Sequence, residues 1–356
     1  MYEKPKKVIY LEFLRVMSIL CVMMNHTGTR GFFLFSERQD SKLYFLYMFF
    51  SIAIKVAVPL FFMISGALLL KRSESISYTY RHRIIKYIVI LIFISAVYHV
   101  FYHFINGTPL SFKEYFVTLI SYKASMALWY LYSHIAILMM LPLLSILVKN
   151  MQEKHFQYMA CCYVVLVGII PILRYWLSKG TVPSNPYFEA PLLTTRNVFF
   201  FVMGYYFENM FDIKKLSGNK VGIGLLFGAF AIGMTCAITQ YSVQITGCCS
   251  EAETQTFYNS LIAIPTIATF VAAKYWFENH RITNVIKKII LFLGGTSFGV
   301  FLLEGILREC TQGVFIMMSN YIPTMLACVV WILVAYVIGC VVVALLKLVP
   351  GLKRYF

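Results

Sequence analysis

The first apolar stretch of the chain carries three ionisable side chains, Glu12, Arg15 and His26. On a helix turning 100° per residue, Arg15 lies about 60° from Glu12 and His26 about 20° from Arg15, so one stripe holds all three. Arg15 and His26 stand roughly 16 Å apart along the axis. Such groups are costly inside a bilayer unless paired or facing a cavity, so the stripe must face other protein or a water-filled space. A structural Glu–Arg pair with an interfacial histidine is one account, and a working site or a transport route are the others. Arg81, Arg83 and Lys86 cluster where a later helix begins. They suit phosphate groups through their charge and through the helix dipole, and they equally suit a cytoplasmic membrane face. Glu304 and Arg308, spaced i,i+4, are expected to pair. Lys55, near the external end of the second span, is accounted for by snorkelling. Arg196, after Thr194 and Thr195, reads as a cap at a helix start. His99 and His103 form another i,i+4 pair, but with no third ligand in view no metal site is expected.

The elements that must position these residues are membrane helices. Of 356 residues, 60% are apolar and 13% charged, the mean hydropathy is +0.74, and runs long enough to cross a ~30 Å hydrocarbon core recur along the chain. The expected fold class is an all-α integral membrane protein, a bundle of about ten transmembrane helices forming a single domain over 1–356. The spans are expected near 8–28, 53–70, 84–104, 126–148, 156–178, 193–210, 221–242, 257–276, 290–311 and 321–348. The apolar stretch 43–52 reads as a re-entrant or interfacial piece, and 277–289 as a basic surface helix. About 20 Lys and Arg fall on one face and about eight on the other, which puts both termini in the cytoplasm.

The same asymmetry explains the net charge of +16 without nucleic acid. Lys4, Lys6 and Lys7 precede the first apolar segment, which lacks a small-residue cleavage site and is therefore kept as a helix. The loop 183–191, with Pro183, Pro186 and Pro191, reads as ordered. Six of the nine cysteines lie in apolar segments, where they behave as small hydrophobes. A disulfide from Cys248 or Cys249 to Cys310 is open on spacing alone. No heptads, low-complexity tail or internal repeat are evident.

Several segments together resemble the acyltransferase-3 family of integral membrane acyltransferases. YLEFLRVMSILCVMMNHT (10–27) is similar to its opening motif, an Arg followed after ten residues by a His, which Arg15 and His26 fit. KVAVPLFFMISGALLLKR (55–72), RHRIIKY (81–87), LWYLYSHIAILMMLPLL (128–144), FFFVMGYYFEN (199–209) and LGGTSFGVFLLEGIL (293–307) resemble later blocks in the same order. One departure is that Phe301-Leu302-Leu303-Glu304 stands where the family commonly has Tyr-Leu-x-His.

The resemblance implies a stand-alone member without a fused hydrolase domain, in a bacterial inner or plasma membrane. It implies transfer of an acetyl or other acyl group from acetyl-CoA, a co-substrate rather than a bound cofactor, to a glycan or glycolipid acceptor across the bilayer. Acyl transfer from a thioester needs a base, a group that orients it and a stabiliser of the oxyanion. The implied base is His26, with Glu12 or Glu304 to orient it. Arg15 would hold the acyl-CoA or polarise its thioester carbonyl, and Arg81, Arg83 and Lys86 would grip its phosphates. Trp129 and Tyr130 would wall the pocket, with Lys55 and Arg196 beside it, although aromatics at a membrane interface need no such role. The reading from another class is a transporter or flippase of a small polar solute or glycolipid. Interrupted helices in matching halves would mark it, and Pro59, Pro142, Pro171 and Pro265 are the available breakers.

Overall fold

A computed structural model of the chain describes residues 8–72, 74–178, 192–249 and 259–355. The N-terminal lysines, Lys179 and the 183–191 loop lie outside them. Among the described residues there is no strand, and the chain is helical almost throughout. We number its principal helices α1 (Ile9–Asn25), α2 (Tyr44–Leu69), α3 (Ile76–Asn106), α4 (Phe112–Ser121), α5 (Met126–Lys149) and α6 (Glu153–Ser178). There follow α7 (Arg196–Asn209), α8 (Gly218–Thr246), α9 (Ala263–Asn279), α10 (Asn284–Ser319) and α11 (Thr324–Leu346). Seven of them, α2, α3, α5, α6, α8, α10 and α11, are long and apolar enough to cross a bilayer. The remaining expected spans form α1, α7 and α9, helices of 17, 14 and 17 residues. An all-α membrane protein is what these helices make, and a count of ten spans goes beyond the seven.

Two boundaries differ from expectation. The stretch 43–52 is no separate piece: Tyr44–Ala53 runs through a single 3-10 turn, Ile54–Val56, into Ala57–Leu69. Nor is there a separate surface helix over 277–289, because α9 continues to Asn279 and α10 already begins at Asn284. In both places apolar periodicity marks where lipid begins, whereas backbone hydrogen bonding continues past it. All nine cysteines are free thiols, so neither Cys248 nor Cys249 is bridged to Cys310.

The chain divides into two compact units, one formed by residues up to Lys71 with Leu147–Leu291, the other by Arg72–Ile146 with Phe292–Phe356. In the first, α2 packs most closely on α7. A Cβ on Gly66 would run into the Phe201 backbone carbonyl, and one on Gly204 into the backbone of Met63. The pair is the membrane device of small residues that let two backbones touch. α1 packs on α2 and α9, and α8 on α9 and the start of α2. A core of Phe33, Phe35, Tyr44, Met48, Ile52, Ile232 and Cys236 closes one region of this unit. The outward faces are apolar too, as Leu226, Phe227 and Phe230 of α8 show, which suits a solvent of acyl chains.

The second unit is knit by polar groups between helices. The Tyr98 hydroxyl of α3 accepts the Gly305 N–H of α10 at 3.0 Å, Trp331 of α11 donates to Thr311 at 3.0 Å, and Lys347 donates to the Gly295 carbonyl at 2.7 Å. Away from water such bonds keep each polar group satisfied within the protein.

Candidate active site

α1 ends at His26 because Gly28, at a φ of 60°, turns the chain away from the helical path. His26 is half-buried, and its backbone N–H still bonds to Val22 and Met23 carbonyls at 3.1 and 3.2 Å. One helical face carries Glu12, Arg15 and Ser18 inward. Arg15 Nη1 donates to Glu12 Oε1 at 2.7 Å, with Glu12 buried and Arg15 partly open. Glu12 Oε2, Ser18 Oγ and Asn25 Oδ1 are buried and have no hydrogen-bond partner. A buried polar atom left in that condition costs ~1–3 kcal/mol, so α1 presents a run of unfilled polar positions beside its Arg–Glu pair.

Lys55 is buried rather than snorkelling, and its ammonium sits 4.5 Å from the centre of the Phe33 ring. The cation–π contact accounts for its place where a route to the membrane surface does not. Arg196, the first residue of α7, donates to the Asn259 side chain. Elsewhere in the unit lies a network that sequence reasoning passed over. The Tyr10 hydroxyl donates to Glu208, Lys274 lies 3.4 Å from the same carboxylate, and the buried ammonium also donates to the Phe207 and Glu208 carbonyls at 2.9 and 3.0 Å. Lys274 thus caps the C-terminal carbonyls of α7, where a cation is favoured. Ionisable residues inside apolar runs were the available signal for both Glu208 and Lys274.

In the second unit, Ser75 caps the start of α3 by accepting the Tyr78 N–H at 3.2 Å, and Tyr80–Ile84 winds as a π-turn. Single π-turns are frequent at functional positions. This one carries Arg81, exposed, and Arg83, half-buried, with half-buried Lys86 one turn on. Arg83 makes a two-pronged bond to Glu74, and Arg72 lies 3.7 Å from the same carboxylate. Burial pushes the Glu74 carboxyl up, but hydrogen bonding and charge from Arg83, with a smaller share from Arg72, outweigh it and leave the group below its ordinary value. Glu304 is fully buried, and Arg308 donates to it at 3.2 Å. Of the two carboxylates expected to orient His26, Glu12 pairs with Arg15 and Glu304 with Arg308.

Tyr130 is buried and Trp129 half-buried at the start of α5. Tyr130 stacks on His134 with ring centres 5.6 Å apart and meets Phe301 edge-on at 5.5 Å. His134 is itself buried, with Nδ1 unpartnered. It went unnoticed in the sequence, although an ionisable residue in an apolar helix is the sign that exposed Glu12 and Arg15. Among the described residues no three His, Cys, Asp or Glu side chains converge as metal ligands.

A family model described as an acyltransferase domain matches residues 8–349. The chain belongs to the acyltransferase-3 family. Membership covers both units and every site residue named above, and it makes the protein a membrane acyltransferase. No curated protein and no solved structure matches the chain. Arg15, held by Glu12, and His26, at the end of the same helix, both lie inside the matched span.

Proposed function

We propose that the protein is a membrane-bound O-acyltransferase that moves an acetyl or related acyl group from cytoplasmic acetyl-CoA to a hydroxyl of an extracytoplasmic sugar, in a cell-surface polysaccharide or glycolipid of a bacterial envelope. The observation that carries this reading is the inner face of α1. Glu12 Oε2, Ser18 Oγ and Asn25 Oδ1 are buried without partners there, on the helix that also carries Arg15 and His26. Packing alone does not reward such a helix. A polar substrate that supplies the missing bonds does.

In this reading His26 takes the proton from the acceptor hydroxyl as its oxygen attacks the thioester carbonyl. The new C–O bond forms, the tetrahedral oxyanion collapses, and the C–S bond breaks. CoA leaves as the thiol, with the proton that His26 returns. Arg15, oriented by Glu12, holds the acyl-CoA or polarises the thioester carbonyl. Arg81 and Lys86, in the second unit, are assigned to the donor phosphates. Arg83 joins them only when Glu74 releases it. Trp129, Tyr130, Lys55 and Arg196 are assigned to binding walls rather than to steps.

The test uses purified protein with radiolabelled acetyl-CoA and a membrane glycolipid fraction. His26→Ala should keep its fold and its acetyl-CoA affinity while transfer falls by ~10²–10⁴-fold. Transfer at the wild-type rate removes His26 from the chemistry. Solute accumulation in proteoliposomes with no labelled acceptor makes the protein a transporter.

A further inference from the structure

A cleft at the end of α3 takes no part in the steps above. α3 stops at Gly107, whose φ of 64° is left-handed, and the Thr108 N–H bonds back to the His103 carbonyl at 3.1 Å. Ser111 then caps α4 by accepting the Glu114 N–H at 3.3 Å. α4 folds back along the unit, with Tyr115 donating to the Ile92 carbonyl at 2.9 Å and the Leu119 carbonyl accepting from Tyr132 of α5 at 2.7 Å. These contacts enclose a cleft of about 500 Å³, within the ~300–1,000 Å³ usual for small-molecule sites.

Its working walls are His99, Tyr102, His103, Asn106, Glu114 and Tyr115. His103 is spoken for: Nδ1 lies 2.7 Å from the Thr108 hydroxyl and Nε2 3.5 Å from Glu114. His99, with its ring centre 4.3 Å from that of His103, has Nε2 buried with no partner. A site that leaves such an atom unfilled is short of one hydrogen bond from outside the chain.

The lining also says what kind of group supplies it. Among the described residues that line the cleft there is no lysine or arginine, and the one carboxylate is Glu114. A phosphate, an acidic sugar or the nucleotide end of CoA would meet no fixed positive charge among these side chains and would face the Glu114 carboxylate. An acyl chain would strand the amide, imidazoles and hydroxyls. A neutral molecule with many hydroxyls both donates and accepts, as these side chains require, and can lay its ring against Tyr102 or Tyr115. We infer that this cleft binds a neutral, hydroxyl-rich ligand of one or two sugar rings. The charge asymmetry of the chain puts it on the external side, opposite the basic start of α3. The inference does not rest on acyl transfer, because occupancy needs neither a donor nor His26.

Saturation-transfer NMR on the full chain, in a detergent without sugar, tests it. The probes are neutral hexoses, N-acetylhexosamines and their disaccharides, with hexose phosphates and uronic acids as charged controls. At least one neutral sugar should receive saturation while the charged controls stay silent. His99→Phe, and separately Asn106→Leu at an exposed position, should each weaken that binding about tenfold, the equivalent of one good hydrogen bond. Both variants should unfold at the wild-type temperature and bind acetyl-CoA normally, and His26→Ala should bind the sugar as the wild type does. No response from any neutral sugar, an equal response from the charged controls, or an affinity that neither substitution moves overturns the inference. Loss of transfer in His26→Ala leaves it untouched.

Discussion

Where α2 crosses α7, two backbones meet through Gly66 and Gly204 and leave room for nothing else. Along the inner face of α1, in the same unit, polar atoms of Glu12, Ser18 and Asn25 are buried with nothing to bond. The first arrangement is what stability selects in a membrane, where close packing replaces the hydrophobic drive between helices. The second lowers stability, and α1 retains it. The two regions therefore do different work: the crossing holds the unit together, and the α1 face is held by it.

The largest effect should come from breaking the crossing. Gly66→Ala or Gly204→Ala forces a methyl group into a facing backbone that cannot rotate away. Each should cost ~3 kcal/mol or more, seen as a collapse of monodisperse protein on size exclusion and a sharply lower unfolding temperature. Gly222→Ala is the matched control, since nothing lies within 4 Å of its added carbon. It should shift stability by ~1 kcal/mol or less, upward if at all. If Gly66→Ala behaves like Gly222→Ala, the crossing is not what holds the unit.

The next effects sharpen the contrast on α1, where stability and activity should part company. Glu12→Gln leaves the Arg15 charge half-buried without its counter-ion and should cost ~1–3 kcal/mol along with most transfer activity. Ser18→Ala removes a hydroxyl that bonds to nothing. It should leave the unfolding temperature unchanged or raise stability by up to ~1 kcal/mol, while acetyl transfer falls several-fold. Equal loss of both in Ser18→Ala would mean that the hydroxyl has a structural partner and that the face serves packing after all.

The α1 stripe of Glu12, Arg15 and His26 is legible in the sequence because it depends only on helical geometry, and so is the Glu304–Arg308 pair, four residues apart on one helix. What the sequence concealed depends on contact between distant segments. Tyr10 and Glu208 are 198 positions apart, and nothing local to Lys55 indicates the Phe33 ring beneath it. The cleft behind His99 arises from Gly107 and Ser111 turning α4 back on α3, a reversal that hydropathy alone does not indicate. Helix ends were displaced for a related reason. Hydropathy locates the bilayer, but α10 begins at Asn284, where Thr283 Oγ1 accepts the Ile286 N–H at 3.4 Å.

A modest effect is expected in the second unit, at Glu74, where a satisfied ion pair offers the opposite case to the unpartnered atoms of α1. Its carboxyl titrates below its ordinary value of 4.5 because the Arg83 and Arg72 charges outweigh burial. A lowered folded-state value means stability that is present above about pH 4.5 and lost as the pH falls through that lower value. The wild type should therefore exceed Glu74→Gln by ~1 kcal/mol, after allowance for solvent screening, at pH 6 to 7. The two should converge as the pH drops through that lowered value, as followed by unfolding temperature across the acid range. The same substitution frees Arg83, so acetyl-CoA affinity should rise a few-fold near neutral pH if that guanidinium belongs to the donor phosphates. A gap that persists in acid shows that the Glu74 charge is not what stabilises the π-turn, and an unchanged donor affinity confines Arg83 to holding Glu74.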